Sequence, residues 1–234
     1  MGRFLQGRRR QDKKTNGDLS DSLVTVLDPP SAASEAYRTV RTSLLYSQVD
    51  TLPKVIVITS PGLKEGKSTI CANLGVVLAQ AGKNTLVMDC DLRKPAIHKI
   101  LGIRNFYGVV DALAGEQMPE GGWPEAVPGL KVATAGLMPS NPVELLSSKR
   151  FAHLLEGERE KFDYVLIDAP PAGGPLSDSW ILAVQADGVL LVLDSQNTSS
   201  RSLREAVRNL ESVGARIFGM VMNNMKAEKS SLLR

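Results

Sequence analysis

The densest group of chemically suggestive residues is Ser60-Pro61-Gly62-Leu63-Lys64-Glu65-Gly66-Lys67-Ser68-Thr69. It follows the apolar run Val55-Ile56-Val57-Ile58-Thr59, and a helical pattern opens at its end. A strand, a tight turn and a helix start form the setting in which Gly-Lys-Ser holds phosphate. Backbone N–H groups must point inward at phosphate oxygens, so Cβ atoms are excluded where the turn is tightest. Lys67 would place a compact positive charge on the terminal phosphates, and the Ser68 hydroxyl could ligate Mg²⁺. The helix N-terminus adds partial positive charge. Gly62, Leu63, Lys64, Glu65, Gly66, Lys67, Ser68 and Thr69 are therefore the expected nucleotide cradle. One position departs from G-x-x-x-x-G-K-[ST]: Pro61 stands at the first glycine, and Gly62 follows one place later. A surface turn that merely spells Gly-Lys-Ser would lack the flanking strand and helix.

A nucleotide site also needs carboxylates to hold metal and water. Leu86-Val87-Met88 runs into Asp89-Cys90-Asp91-Leu92-Arg93, and Val165-Leu166-Ile167 into Asp168-Ala169-Pro170. Each aspartate should emerge at the carboxyl edge of a sheet, where open α/β folds bind ligands. A lone strand-end aspartate is often a helix cap. Three of them downstream of a phosphate loop point to chemistry.

These residues need a scaffold that brings strand ends together, and the hydrophobic periodicity supplies one. Short β-branched or aliphatic runs recur at Leu86–Met88, Val132–Thr134, Tyr164–Ile167, Val189–Leu193 and Ile217–Met222. Helical patterns are predicted over about Lys67–Ala81 (closed by Gly82), 142–159 with a break, 177–185 and 200–213. A further helix is predicted from Ser31 or Ser34, with a serine N-cap, to about Val49. Residues 115–129, rich in Gly and Pro, predict an exposed loop. The alternation specifies an α/β fold, a doubly wound and mainly parallel sheet flanked by helices. The domain is placed at 31–225. Residues 1–30, ending Asp28-Pro29-Pro30, predict a flexible arm, and 226–234 a short tail without tyrosine.

Composition narrows the function class. The 234 residues carry a net charge of +3. Arg3, Arg8, Arg9, Arg10, Lys13 and Lys14 crowd the start. Such an arm suits an anionic membrane surface or nucleic acid, or is simply solvated. No interleaved aromatics support sequence-specific nucleic-acid binding. No apolar run reaches the ~18–20 residues of a membrane span, and the start lacks the apolar core of a secretory signal. A cytoplasmic chain is expected. Cys71 and Cys90, with isolated His98 and His153, form neither a metal framework nor a disulfide scaffold.

The ordered set resembles the bacterial tyrosine kinases of capsular and exopolysaccharide biosynthesis, in the MinD/ParA-like group of P-loop NTPases. The strand followed by Asp89-x-Asp91-x-Arg93 is similar to their second ATP motif, and the run ending Asp168-Ala169-Pro170 to their Walker B form. Ser140-Asn141-Pro142-Val143-Glu144-Leu145-Leu146-Ser147-Ser148 looks like their NPxELLSS segment, and Glu35, Arg38 and Arg41 fit their ExxRxxR helix. Spacings of three place those last residues along one helical face. The likeness runs over about residues 31–225.

The resemblance implies ATP and Mg²⁺ as cofactors and transfer of the γ-phosphoryl group to protein tyrosines. Lys67 would hold phosphates, and Ser68, Asp91 and Asp168 the metal. Asp89 would accept the tyrosine proton, and Asn223 would meet adenine. Glu35, Arg38 and Arg41 would contact a neighbouring subunit in a homo-oligomeric ring. A separate membrane-spanning activator and a peripheral position at the inner face of the membrane also follow. The chain departs from the family at its end, which lacks a tyrosine cluster. Of its tyrosines, Tyr164 is expected in the core, Tyr37 and Tyr46 packed on a helix, and Tyr107 least constrained. Two other readings stand: a MinD/ParA-type positioning ATPase, and a non-catalytic ATP-binding regulator. The first usually carries a lysine five positions before the loop lysine, where this chain has Gly62.

Overall fold

Runs of aliphatic residues without a polar member can sit only in strands covered on both faces. The computed structural model, which describes residues 19–46, 53–174 and 177–225, places them so. The first elements are α1 (Val24–Leu27), α2 (Ala32–Leu45), β1 (Val55–Thr59), α3 (Lys67–Gln80) and β2 (Thr85–Asp89). Then come α4 (Ile97–Ile100), α5 (Val109–Ala114), β3 (Glu125–Val127), β4 (Leu130–Ala133), α6 (Pro142–Leu146) and α7 (Lys149–Lys161). The last are β5 (Tyr164–Asp168), α8 (Asp178–Gln185), β6 (Gly188–Asp194), α9 (Ser200–Ser212) and β7 (Ile217–Asn223).

The strands form one sheet in the order β3-β4-β2-β5-β1-β6-β7. All neighbours are parallel except the β3–β4 pair at the edge. β1, β2, β5 and β6 are buried along their whole length. Successive side chains alternate between faces. Val55 and Val57 join Phe151, Leu182 and Leu210 in a core under α7, α8 and α9. Ile56 and Ile58 join Leu74, Val77 and Ile97 in a second core under α3 and α4. The two-sided cover is what a doubly wound fold requires. β1 pairs Ile58 with Asp168 of β5, and β2 pairs Asp89 with Asp168. The loop after β1 and the aspartates of β2 and β5 thus share one edge.

Several expectations are corrected. Residues 19–30 are not part of a free arm: Leu23 is fully buried against α3, and Thr25 with it. The predicted arm's first eighteen residues and the tail 226–234 lie outside the described residues. α2 is capped by the Ser31 side chain, as predicted, but ends at Leu45; the expected end near Val49 is outside the described residues. Residues 115–129 are not all loop, because Glu125–Val127 adds an antiparallel edge strand too short to show an alternation. The break within 142–159 falls at Ser147–Ser148, where Ser148 caps α7.

Asn73 explains how α1 is held. It lies in the middle of α3 and is fully buried. Its Oδ1 accepts from Thr25 N (3.1 Å) and Thr25 Oγ1 (2.8 Å). Its Nδ2 donates to Ser22 O and Thr69 O, both at 2.9 Å. A buried amide whose partners are all matched stabilises; one lost leaves several groups unpaired. Asn73→Ala is expected to cost about 2–3 kcal/mol, read as a lower urea midpoint. An unchanged midpoint would show that α1 is not held through this side chain.

Candidate nucleotide and phosphotransfer site

The loop between β1 and α3 is built around two left-handed residues, Lys64 (φ 64°) and Gly66 (φ 94°). Gly66 precedes the first helical residue, Lys67. A Cβ on Gly66 would fall on Asn223 Nδ2, so only glycine fits. Asn223 ends β7 and donates to Glu65 O at 3.0 Å. It therefore braces the loop. The Glu65 side chain turns inward, accepting from Gly62 N at 3.0 Å and from Thr198 Oγ1 at 2.6 Å. Ser60 Oγ donates to Gly62 O at 2.7 Å. Leu63, Lys64, Gly66, Lys67, Ser68, Thr69, Asp91 and Lys94 line one cleft beside the loop.

Lys67 sits at the centre. Its Nζ is 2.8 Å from Asp91 Oδ2, 3.4 Å from Asp168 Oδ1 and 3.2 Å from Ser68 Oγ. Burial alone would lower its pKa, but Asp168 and Asp91 outweigh that and hold the ammonium above its usual range. Asp168 is fully buried. Burial raises its carboxyl pKa, against the pull of the Lys67 charge and a Ser68 hydrogen bond. Asp168 Oδ2 and Asp89 Oδ1 are buried without a hydrogen-bond partner. Unpaired carboxylate oxygens beside a loop-held lysine fit a site that takes up water or a metal ion. Among the described residues no three His, Cys, Asp or Glu side chains converge as a ready metal cage. Asp91 and Asp168 offer the one or two carboxylates that Mg²⁺ takes when phosphate oxygens and water complete its shell.

The three aspartates are not equivalent. Asp91 lines the cleft. Asp89 is fully buried beneath it, and its Oδ2 accepts from Ala96 N and Ile97 N, both at 3.0 Å. Burial first, then the Asp168 charge, push its carboxyl up to about 8. Asp89 thus holds the turn after β2, whereas sequence reasoning favoured it as the tyrosine's proton acceptor. Arg93 binds Asp178, at the start of α8, at 2.7 Å, and lines a pocket adjoining the cleft with Leu63, Asp91 and Lys94.

On α2, Arg38 pairs with Glu35 at 2.7 Å and donates to Pro29 O at 2.9 Å. Arg41 instead reaches its own α3, donating to Val77 O at 3.3 Å. Among the tyrosines, Tyr164 is core, as predicted. Tyr37 is half-buried, and burial pushes its hydroxyl up to about 12. Tyr107 is not the free one: its hydroxyl donates to Glu116 O at 3.1 Å and its ring lies 5.9 Å from that of Trp123. Tyr46, expected to pack, is 78% exposed at the end of α2. Sequence reasoning missed Thr198 and the bracing role of Glu65. Thr198 stands four residues past the strand-end Asp194, at the same sheet edge as the other site residues.

Comparison with known proteins agrees with this geometry. Residues 51–231 match the ParA family model, described as NUBPL iron-transfer P-loop NTPase. The chain is 36% identical to the tyrosine-protein kinase YwqD of Bacillus subtilis, over 94% of this chain and 92% of that one. It is 30% identical to the succinoglycan biosynthesis transport protein ExoP of Rhizobium meliloti, spanning 86% of this chain but 26% of that protein. The kinase domain of the Escherichia coli tyrosine kinase ETK superposes with a TM-score of 0.84 at 28% identity, over 97% of this chain and 88% of that domain. Matched to the ParA family model over most of its length, and at 36% identity to a curated tyrosine kinase that it covers almost entirely, the chain belongs to the bacterial tyrosine-protein kinases, within the MinD/ParA-like P-loop NTPases.

Proposed function

We propose that the chain transfers the γ-phosphoryl group of ATP to protein tyrosine and so regulates polymerisation and export of capsular or extracellular polysaccharide. The observation that carries this is the Lys67 ammonium, held between Asp91 and Asp168 at the mouth of the phosphate loop. Phosphoryl transfer asks mainly for positioning and charge neutralisation. Lys67 would exchange its carboxylate partners for the β- and γ-phosphates. Ser68, Asp91 and Asp168 would hold Mg²⁺, directly or through water, and the metal would neutralise phosphate charge. The backbone of Gly62–Thr69 would cradle the phosphates, with Asn223 bracing the loop beside the base. Asp91, which lines the cleft, would also meet the incoming hydroxyl, with Asp89 supporting its turn from below. A positioning ATPase of this group would present a lysine at residue 62, where this chain has Gly62.

Among the described residues no helix is long and apolar enough to cross a membrane. In this reading the membrane-spanning activator is a separate protein. Glu35 and Arg38, on the outer part of α2, suit contact with a neighbouring copy in a ring. Tyr46, exposed at the end of α2, is the tyrosine of the described residues most open to acting as an acceptor.

Incubation with ATP and Mg²⁺, with and without cytosolic fragments of such an activator, is expected to give phosphotyrosine. Lys67→Met should abolish it, a loss of 100-fold or about 3 kcal/mol. ATP bound without any phosphotyrosine would sink the kinase reading.

The aspartates separate in a second measurement. Asp91→Asn is expected to cost more than about 100-fold in phosphotransfer, and Asp89→Asn about tenfold. The reverse order would restore Asp89 as the proton acceptor. Asp89→Asn should also stabilise the nucleotide-free protein. Because the folded-state pKa is raised from 3.8 to about 8, the native carboxyl's contribution is fully present below pH ~4 and is lost as pH rises through ~8. The gain from Asn should therefore be small at pH 4 and reach about 1 kcal/mol or more at pH 8, as a rise in Tm.

A further inference from the structure

Pro61 stands where the phosphate-loop pattern has its first glycine, so contacts from outside must hold the loop's shape. They converge on Glu65, whose side chain is almost wholly buried. Both carboxylate oxygens are engaged. Gly62 N donates to Oε2 at 3.0 Å, and Thr198 Oγ1 to Oε1 at 2.6 Å. The second distance is that of a strong charge-assisted bond. Glu65 thus links the front of the loop to the turn between β6 and α9.

Thr198 is itself fixed. Its hydroxyl accepts from Asp194 N at 2.8 Å, and its N–H donates to Asp194 O at 2.9 Å. The Asp194 carboxylate in turn accepts from Gln196 N (2.8 Å), Asn197 N (3.2 Å), Asn197 Nδ2 (2.9 Å) and Asn224 Nδ2 (2.9 Å). The Thr198 hydroxyl is therefore presented to Glu65 by a closed hydrogen-bonded turn. Without it, one oxygen of a buried carboxylate would lose its donor. Glu65 would then swing toward water and release Gly62. A loop that must be reordered before it meets phosphate binds more weakly than one already in shape.

We propose that Thr198 is a positioning residue for the phosphate loop. Acting through Glu65, it holds the Gly62 end in the shape that receives ATP, and so sets nucleotide affinity. The inference rests on the nucleotide-binding reading above but not on the identity of the phosphoacceptor.

The test compares the full chain with Thr198→Val, Thr198→Ser, Glu65→Gln and the double variant Thr198→Val/Glu65→Gln. Mg²⁺·ATP affinity is measured by calorimetry, together with KM and kcat. Thr198→Val should weaken ATP binding and raise KM about tenfold, with kcat within about twofold. Thr198→Ser, which keeps the hydroxyl, should stay within about twofold of wild type. Adding Thr198→Val to Glu65→Gln should cost little more, as for residues acting in one chain of contacts. The proposal is overturned if Thr198→Val binds ATP like wild type, or if Thr198→Ser is as impaired as Thr198→Val. A lower Tm for Thr198→Val with unchanged affinity would also overturn it, assigning the hydroxyl to the turn alone. Failure of the wild-type chain to bind ATP would overturn the nucleotide reading and this inference with it.

Discussion

A buried ammonium ringed by carboxylates from two neighbouring strands governs this molecule. Lys67 can be buried only because Asp91 and Asp168 surround it, and those carboxylates tolerate low dielectric only because Lys67 is there. The arrangement demands that the exits of β1, β2 and β5 lie side by side. The sheet order β2-β5-β1 provides that. Asp89 lies just beneath, its carboxyl raised toward the neutral form, while Lys64 and Lys94 stand with Lys67 on the wall of the cleft. The cleft thus offers basic side chains around a carboxylate-held lysine, a setting that suits a polyphosphate.

The phosphate loop shows how a sequence can depart from a pattern and keep its geometry. Pro61 removes one position of backbone freedom. The lost latitude is replaced by side-chain contacts, with Ser60 on Gly62, Glu65 on Gly62 and Asn223 on Glu65. At Gly66 the chain needs a positive φ and Asn223 needs the space, and there glycine is retained. Rigidity assembled from several elements transmits displacement: a shift of β7 or of the turn before α9 reaches the loop through a single side chain.

The strands, the loop and the set of aspartates were legible in the sequence because each follows from a short-range signal. Val55–Thr59 is apolar throughout, and Gly66-Lys67-Ser68 sits between a strand and a helix. Other features depend on distant partners and had no local sign. Leu23 looked like part of a polar arm until α3, about fifty residues on, supplied its cover. Asp89 and Asp91 are two apart at a strand end, so their types cannot say which one faces the cleft; the Ala96 and Ile97 N–H groups decide it. Tyr46 and Tyr107 exchanged their expected roles because Trp123 and the Glu116 carbonyl hold one of them, and neither contact is local. Arg41 keeps the spacing of its motif yet is drawn to the Val77 carbonyl.

The sheet order has a further consequence for the chain as it leaves the ribosome. β1 is made first among the strands, but its neighbours are β5 and β6, with Val55 opposite Val165 and Ile56 opposite Gly188. Until about 110 more residues have been synthesised, the Val-Ile-Val-Ile run has both hydrogen-bonding edges open and no partner in the sheet. Long-range parallel pairing of this kind closes late and is slow. The segment that becomes the centre of the kinase is thus the one longest exposed to other nascent chains. Residues 19–46 can offer it no edge, because they form only helices. Vectorial synthesis therefore leaves the most aggregation-prone run of the chain unpaired for longest, and its shielding falls to whatever the chain has already folded.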